Sequence, residues 1–249
     1  MCLIALAWQT RPDLPLIVAA NRDEFFARPT RPAHVWDDAP RVVGGRDLRA
    51  GGSWLAVTGG GRFAAITNIR YAQIEGGPSR GALVAAFIKG DEPPLVFLDR
   101  LALNAREYAG FHLILGDGST LAHFSNAGAP PSLIEPGVFG ISNAAPGVDW
   151  PKVAIARQVV ASAALANDRE TIATELLDFL STSRGVNVEE EIFVSFPDRG
   201  YGTRSSTVVI VDEDGGVLLR ERSHPEGGEV RGERRGDRWS VTNGQRRSS

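Results

Sequence analysis

The chain has one cysteine, and it stands directly behind the initiator methionine in MCLIALAW. Two chemistries compete for Cys2: a small apolar filler at the start of a buried strand, or a nucleophile that becomes N-terminal once Met1 is cut away. In the second case one residue carries both halves of a catalytic unit. A terminal amine titrates near ~7.7–8.0, so a useful fraction is unprotonated at neutral pH and serves as base for the thiol of the same residue. A free thiol titrates near ~8.5, and a neighbouring cation lowers that value. Other chemistries find less support. His34, His112, His123 and His224 follow no HExxH or other metal-ligand spacing, which argues against a zinc site. His112 and His123 either face one another across a hairpin or point outward. GGGR near Gly60 lacks the Lys-Ser/Thr ending of a phosphate loop and lies between strand-like runs, so it reads as a turn.

The elements that must position Cys2 follow from hydrophobic pattern. Cys2 to Trp8 and Leu16 to Ala20 are near-continuously apolar and are separated by TRPDLP, a turn-forming stretch, which predicts a β-hairpin covered on both faces, as in the middle of a layered sheet. Asn21 to Gly52 is rich in Arg, Pro, Asp and Gly and reads as a long loop pinned by Phe25, Phe26 and Trp36. SWLAVTGGGRFAAITNI is a second hairpin. PSRGALVAAFIKG is a helix with Ser79 as candidate N-cap and Gly90 as stop, followed by a helix in EPPLVFLDRLALNAREYAG. FHLILGDGSTLAHFSN is a hairpin, GVFGISN a short strand beside a Pro-rich bend, and PKVAIARQVVASAAL and DRETIATELLDFLS a second helix pair, the latter capped by Asp168. TRSSTVVIVDEDGGVLLRER closes the fold as a hairpin. Blocks of antiparallel strands alternating with helix pairs predict an α+β chain: a four-layer αββα sandwich of antiparallel sheets between helix pairs.

Composition narrows the class. The 249 residues, 43% hydrophobic with 28 glycines, fit one large sheet-rich domain over 1–243 and a short disordered tail over 244–249. With 27 basic and 30 acidic residues the net charge is −3, so nothing advertises a nucleic-acid partner. The basic cluster of Arg231, Arg234, Arg235, Arg238, Arg246 and Arg247 is interrupted by acids and reads as a solvated tail. A single cysteine makes no internal disulfide, and no apolar stretch reaches the roughly 18 residues of a membrane span. No integral membrane segment and a cytoplasmic location are the resulting expectations.

Six motifs in order, MCLI at the start, AANRDEF at Ala19 to Phe25, GGSWLAV at Gly51 to Val57, ITNIR around Asn68, GISNA around Asn143 and YGTRSSTVV at Tyr201 to Val209, resemble the NRDE family, which includes transport and Golgi organisation protein 2. The family motif falls on Asn21, Arg22, Asp23 and Glu24. The resemblance covers roughly residues 1 to 222. The same positions are more loosely similar to N-terminal nucleophile hydrolases of the choloylglycine hydrolase and penicillin V acylase type. That resemblance implies an αββα fold and a catalytic set of Cys2, Arg22, Asp23, Asn68, Asn143 and Arg204.

Physical chemistry suits this set. Arg22, at the end of the strand paired with Cys2, lies within reach of the thiol if the hairpin forms. Asp23 would anchor the α-ammonium or a substrate amine. Asn68 or Asn143 would stabilise an oxyanion, an effect of about 3 kcal/mol per donor. Arg204 would bind a carboxylate or hold the site's carboxylates apart. Each residue also has a structural reading: turn formation and capping for Asn21 and Asp23, closure of strand ends for the later asparagines, and ion pairing with Asp23 or Glu24 for the arginines. Two functional expectations result. One is a cysteine-dependent amidohydrolase acting on a small non-peptide amide without a cofactor. The other, from the family alone, is a non-enzymatic binding or trafficking protein, with haem, a haem-like ligand or lipid as cargo and a tie to secretory-pathway organisation in eukaryotic relatives.

Overall fold

The computed structural model describes residues 2–69, 77–166, 168–183, 187, 189–224, 228–235 and 238–244. β1 (Cys2–Trp8) and β2 (Leu16–Phe25) form the first hairpin. They join β10 (Gly137–Ile141), β12 (Tyr201–Val211), β13 (Val217–Ser223), β14 (Glu229–Arg235) and β15 (Arg238–Gly244) in one antiparallel sheet of order β10-β1-β2-β12-β13-β14-β15, with the short β11 (Ser195–Phe196) also paired to β12. The second sheet runs β3 (Thr30–Trp36), β4 (Ala39–Asp47), β5 (Leu55–Thr58), β6 (Arg62–Asn68), β7 (Phe111–Asp117), β8 (Leu121–Ser125) and β9 (Ala129–Leu133) in chain order. Helices α1 (Gly81–Lys89) and α2 (Pro94–Ala102) cover the second sheet, and α3 (Pro151–Ala163) and α4 (Arg169–Leu180) cover the first. The four layers are the expected αββα sandwich of antiparallel sheets between helix pairs.

The apolar run of β1 explains itself in this frame. Leu3, Ala5 and Ala7 pack against Val153, Ala156 and Val160 of α3, while Ile4, Leu6 and Trp8 face Val43, Leu55 and Phe63 of the other sheet. Alternate side chains point to opposite faces, and because both faces are dry neither parity tolerates a polar residue. Full burial of each large side chain contributes roughly 1.5–3 kcal/mol. Asp168 caps α4 as expected, accepting from the backbone of Glu170 and Thr171 at 3.1 and 2.9 Å. Gly90 closes α1.

Three local expectations are corrected. The stretch from Asn21 to Gly52 is not one long loop: β2 continues through Phe25, and β3 and β4 form a further hairpin. Its Pro and Gly content misleads because β3 is an edge strand interrupted by register shifts, where a missing N–H does no damage. Gly44 and Gly45 mark close approach, since a Cβ there would meet Leu55 O at 2.5 Å or the Trp54 ring at 2.1 Å. Ser79 does not cap α1. The N-cap is Arg80 without a side-chain bond, and Ser79 offers its carbonyl to Ala82 at 3.1 Å. The arginine-rich segment after Ser223 is not a solvated tail throughout, because β14 and β15 extend the first sheet and Arg231 pairs with Glu170 at 2.8 Å. The expected disordered tail falls, apart from Gly244, outside the described residues.

Candidate active site

The register of the first hairpin sets Cys2 directly opposite Arg22. By strand parity Cys2 shares the inter-sheet side of β1 with Ile4 and Leu6, and Arg22 continues the row of Val18 and Ala20 on β2. Both line a cavity of about 290 Å³, together with Asp23, Glu24, Asn68 and Arg80. Cys2 is half-buried at its wall. The protein packed around the thiol pushes its pKa up, and the negative charge of Asp23 acts in the same direction; the Asp23 backbone N–H, which donates to the sulfur, and the Arg22 guanidinium oppose it.

Two asparagines close this end of the molecule. Asn143 follows β10 and Asn68 ends β6, so they come from different sheets. The Asn143 side-chain nitrogen donates to the Asn68 carbonyl at 2.5 Å, and its oxygen accepts from the backbone nitrogen of Cys2. The first bond orients the second. Beside them Thr67 donates to the Ser142 carbonyl at 2.8 Å, a second tie between the sheets. Asn68 lines the cavity, while Asn143 holds the nitrogen that removal of Met1 would convert into the α-amine.

Arg204 is not brought to this cavity. The β2–β12 register shifts between Thr203 and Ser205, which face Asp23 and Arg22 respectively. Arg204 is thus the extra residue of a bulge, and a bulge re-aims its side chain. Its guanidinium donates to the carbonyls of Phe25, Phe26 and Arg28 at 3.0, 2.7 and 3.2 Å, which fastens the chain leaving β2. It forms no ion pair with Asp23 or Glu24 among the described residues.

The family model described as Transport and Golgi organisation 2 matches residues 1–225. The chain belongs to the transport and Golgi organisation 2 family. It is 31% identical over 258 residues to the transport and Golgi organization protein 2 homolog of Homo sapiens, covering 90% of this chain and 93% of that protein. The Drosophila melanogaster transport and Golgi organization protein 2 is 28% identical over 251 residues, at 86% and 89% coverage. Among solved structures, a Caenorhabditis elegans N-acylethanolamine-hydrolyzing acid amidase ortholog matches with a TM-score of 0.54 at 12% identity over 86% of this chain and 93% of that chain. That likeness concerns the fold.

In this transport and Golgi organisation 2 family chain the Asn-Arg-Asp-Glu stretch divides by face of β2. Asn21 points to the helical layer and donates to Leu180 O and Ile192 O, both at 2.8 Å, which is a structural tie. Asp23 is buried and accepts from the Thr203 hydroxyl at 2.8 Å; burial pushes its carboxyl pKa up. Arg22 lies under the Trp54 ring at 4.2 Å and donates to Thr30 at 3.2 Å. Glu24 stands 4.0 Å from Arg22 and 3.9 Å from Arg28, whose guanidinium is bonded twice to Asp47 at 2.9 and 2.7 Å.

Several wall residues escaped sequence reasoning. Arg28 and Asp47 line the cavity from the segment misread as loop, Trp54 from the start of the second hairpin and Arg80 from a helix start. Lys152, in the first turn of α3, is fully buried in the helical layer. One signal existed for it: Lys152 falls on the same helical stripe as Ala156, Val160 and Ala163, which pack on the core. The predicted histidine pair is stacked across the β7–β8 hairpin, with His112 Nδ1 3.1 Å from His123 Nε2. Neither ring lines the cavity.

Proposed function

We propose that this protein is an N-terminal nucleophile amidohydrolase that uses Cys2, after removal of Met1, to cleave a small non-peptide amide. The observation that carries the reading is the meeting of Cys2, Arg22, Asp23 and Asn68 at one cavity with Asn143 bonded to the Cys2 nitrogen. In the first step the α-amine takes the thiol proton and the sulfur attacks the substrate carbonyl carbon. The developing oxyanion receives hydrogen bonds from the Asn68 side-chain amide, while Asn143 keeps the amine beside the sulfur. The C–N bond then breaks, the departing amine takes the proton from the α-ammonium, and a thioester remains on Cys2. Water, deprotonated by the same α-amine, attacks the thioester; the acid leaves and the thiol is regenerated. Arg22 lowers the cost of the thiolate throughout.

The name of the C. elegans neighbour, an N-acylethanolamine-hydrolyzing acid amidase ortholog, is in keeping with amide chemistry on this fold. The alternative, carriage of a haem-like or lipid cargo linked to transport and Golgi organisation, draws on the relatives' names. The charged side chains around the cavity suit a polar amide better than an apolar macrocycle, and no histidine lines it among the described residues.

Intact mass spectrometry of the purified protein, with and without a panel of N-acyl amides, tests the proposal. The expected result is a chain without Met1 that gains the acyl mass on Cys2, and a Cys2→Ala variant that gains none and loses about 10³-fold or more of turnover. A mature chain that keeps Met1 overturns the mechanism.

A further inference from the structure

Lys152 is the least expected residue near the site. It sits in the first turn of α3 with no exposed surface, where the helix dipole disfavours a cation and burial disfavours any charge. Its backbone N–H donates to Glu189 O at 3.2 Å, its ammonium reaches Glu191 O at 3.4 Å and lies 5.4 Å from the Trp150 ring centre. A carbonyl and a ring face satisfy only part of an ammonium. The remaining compensation is anionic. Burial lowers the pKa of Lys152, and attraction to Asp23 is the largest opposing influence, followed by Cys2, Glu191 and Glu189.

The geometry gives this charge a task. Asp23 occupies the helix-facing parity of β2, accepts from Thr203 on one side, and through its own backbone N–H contacts the Cys2 sulfur. A carboxylate so near a thiol repels the thiolate. We propose that Lys152 is a positioning residue of the Cys2 site: from the helical layer it adds a second counter-charge for Asp23 beside that of the α-amine, so that the carboxylate is retained without suppressing the thiolate. This rests on the reading of Cys2 as nucleophile. From the cavity side the thiol faces Arg22 and Arg80, so Lys152 is the cation placed outside the substrate's reach.

The test titrates the chain's single thiol by iodoacetamide alkylation rate against pH in the full-length, Met1-free protein. Lys152→Met is expected to move the profile upward by about one pH unit, a roughly tenfold slower alkylation at neutral pH. Lys152→Arg restores the wild-type profile, and Asp23→Asn combined with Lys152→Met returns it close to wild type because both charges are gone. A Lys152→Met profile superimposed on wild type, or a double variant that keeps the whole shift, overturns the proposal. Should Lys152→Met fail to fold, carboxyl-carbon NMR of wild-type Asp23 decides: an ionised carboxylate at neutral pH supports the pairing and a protonated one overturns it. Alkylation reads the thiol and not turnover, so a failure of the hydrolase reading in the mass experiment is distinguishable from a failure here.

Discussion

Asp23 and Glu221 are both carboxylates buried in the first sheet, 5% and 1% exposed, and burial pushes the pKa of each up. Their surroundings differ in kind. Glu221 points between the sheets, where Ala33 N–H donates to one oxygen at 2.7 Å and the Thr207 hydroxyl to the other at 3.0 Å. It stands beside a cavity of only about 60 Å³ and stitches β13 to β3. Asp23 has Thr203 on one oxygen, a buried lysine behind it, and the cavity that holds Cys2 in front. A buried carboxylate that only ties strands together is part of the frame, whereas one that meets an open cavity and a thiol is available for chemistry. Burial alone does not separate the two.

Substitution sharpens that contrast. On the hydrolase reading Asp23→Asn, which preserves shape and the bond from Thr203, lowers turnover by about 10²-fold or more while the melting temperature stays close to wild type; steady-state kinetics and calorimetry on the same sample check both. Glu221→Ala shows the reverse. It leaves Ala33 N–H and the Thr207 hydroxyl without their acceptors, a loss of about 1–3 kcal/mol each, seen as a lowered denaturant midpoint with an unchanged Cys2 alkylation rate. Equal effects of both variants on alkylation would dissolve the comparison.

A third buried group stands apart from both carboxylates. His123 has its pKa pushed down to about 3, first by burial and then by His112. The unfolded chain binds this proton near 6.5 and the folded one does not, so its contribution is present above about pH 6.5 and is lost as pH falls from there towards 3. His123→Phe removes that dependence. The difference between wild-type and variant unfolding free energies is expected to narrow across that window, and parallel curves would refute the assignment.

The legibility of the chain follows the range of the forces involved. Two-sided burial wrote itself into β1 as continuous apolarity, and capping wrote itself into Asp168, because both depend on near neighbours in sequence. The β3–β4 hairpin was hidden because its glycines answer to a tryptophan and a backbone on the neighbouring β5 side, not to a turn. Arg204 looked equivalent to Arg22 in type, yet the bulge at Thr203/Ser205 sends it to three carbonyls. A one-residue change in register leaves no mark in composition.

The sequence by itself determined that Cys2 begins a dry strand and that helix pairs alternate with antiparallel hairpins, since these rest on local periodicity and turn chemistry. Only the tertiary structure decided which of two asparagines holds the Cys2 nitrogen, which arginine faces the thiol, and that a lysine 129 residues away in sequence acts on Asp23. Those outcomes come from strands and helices meeting at one end of a four-layer sandwich, where electrostatics and hydrogen bonding act over a few ångströms regardless of separation along the chain.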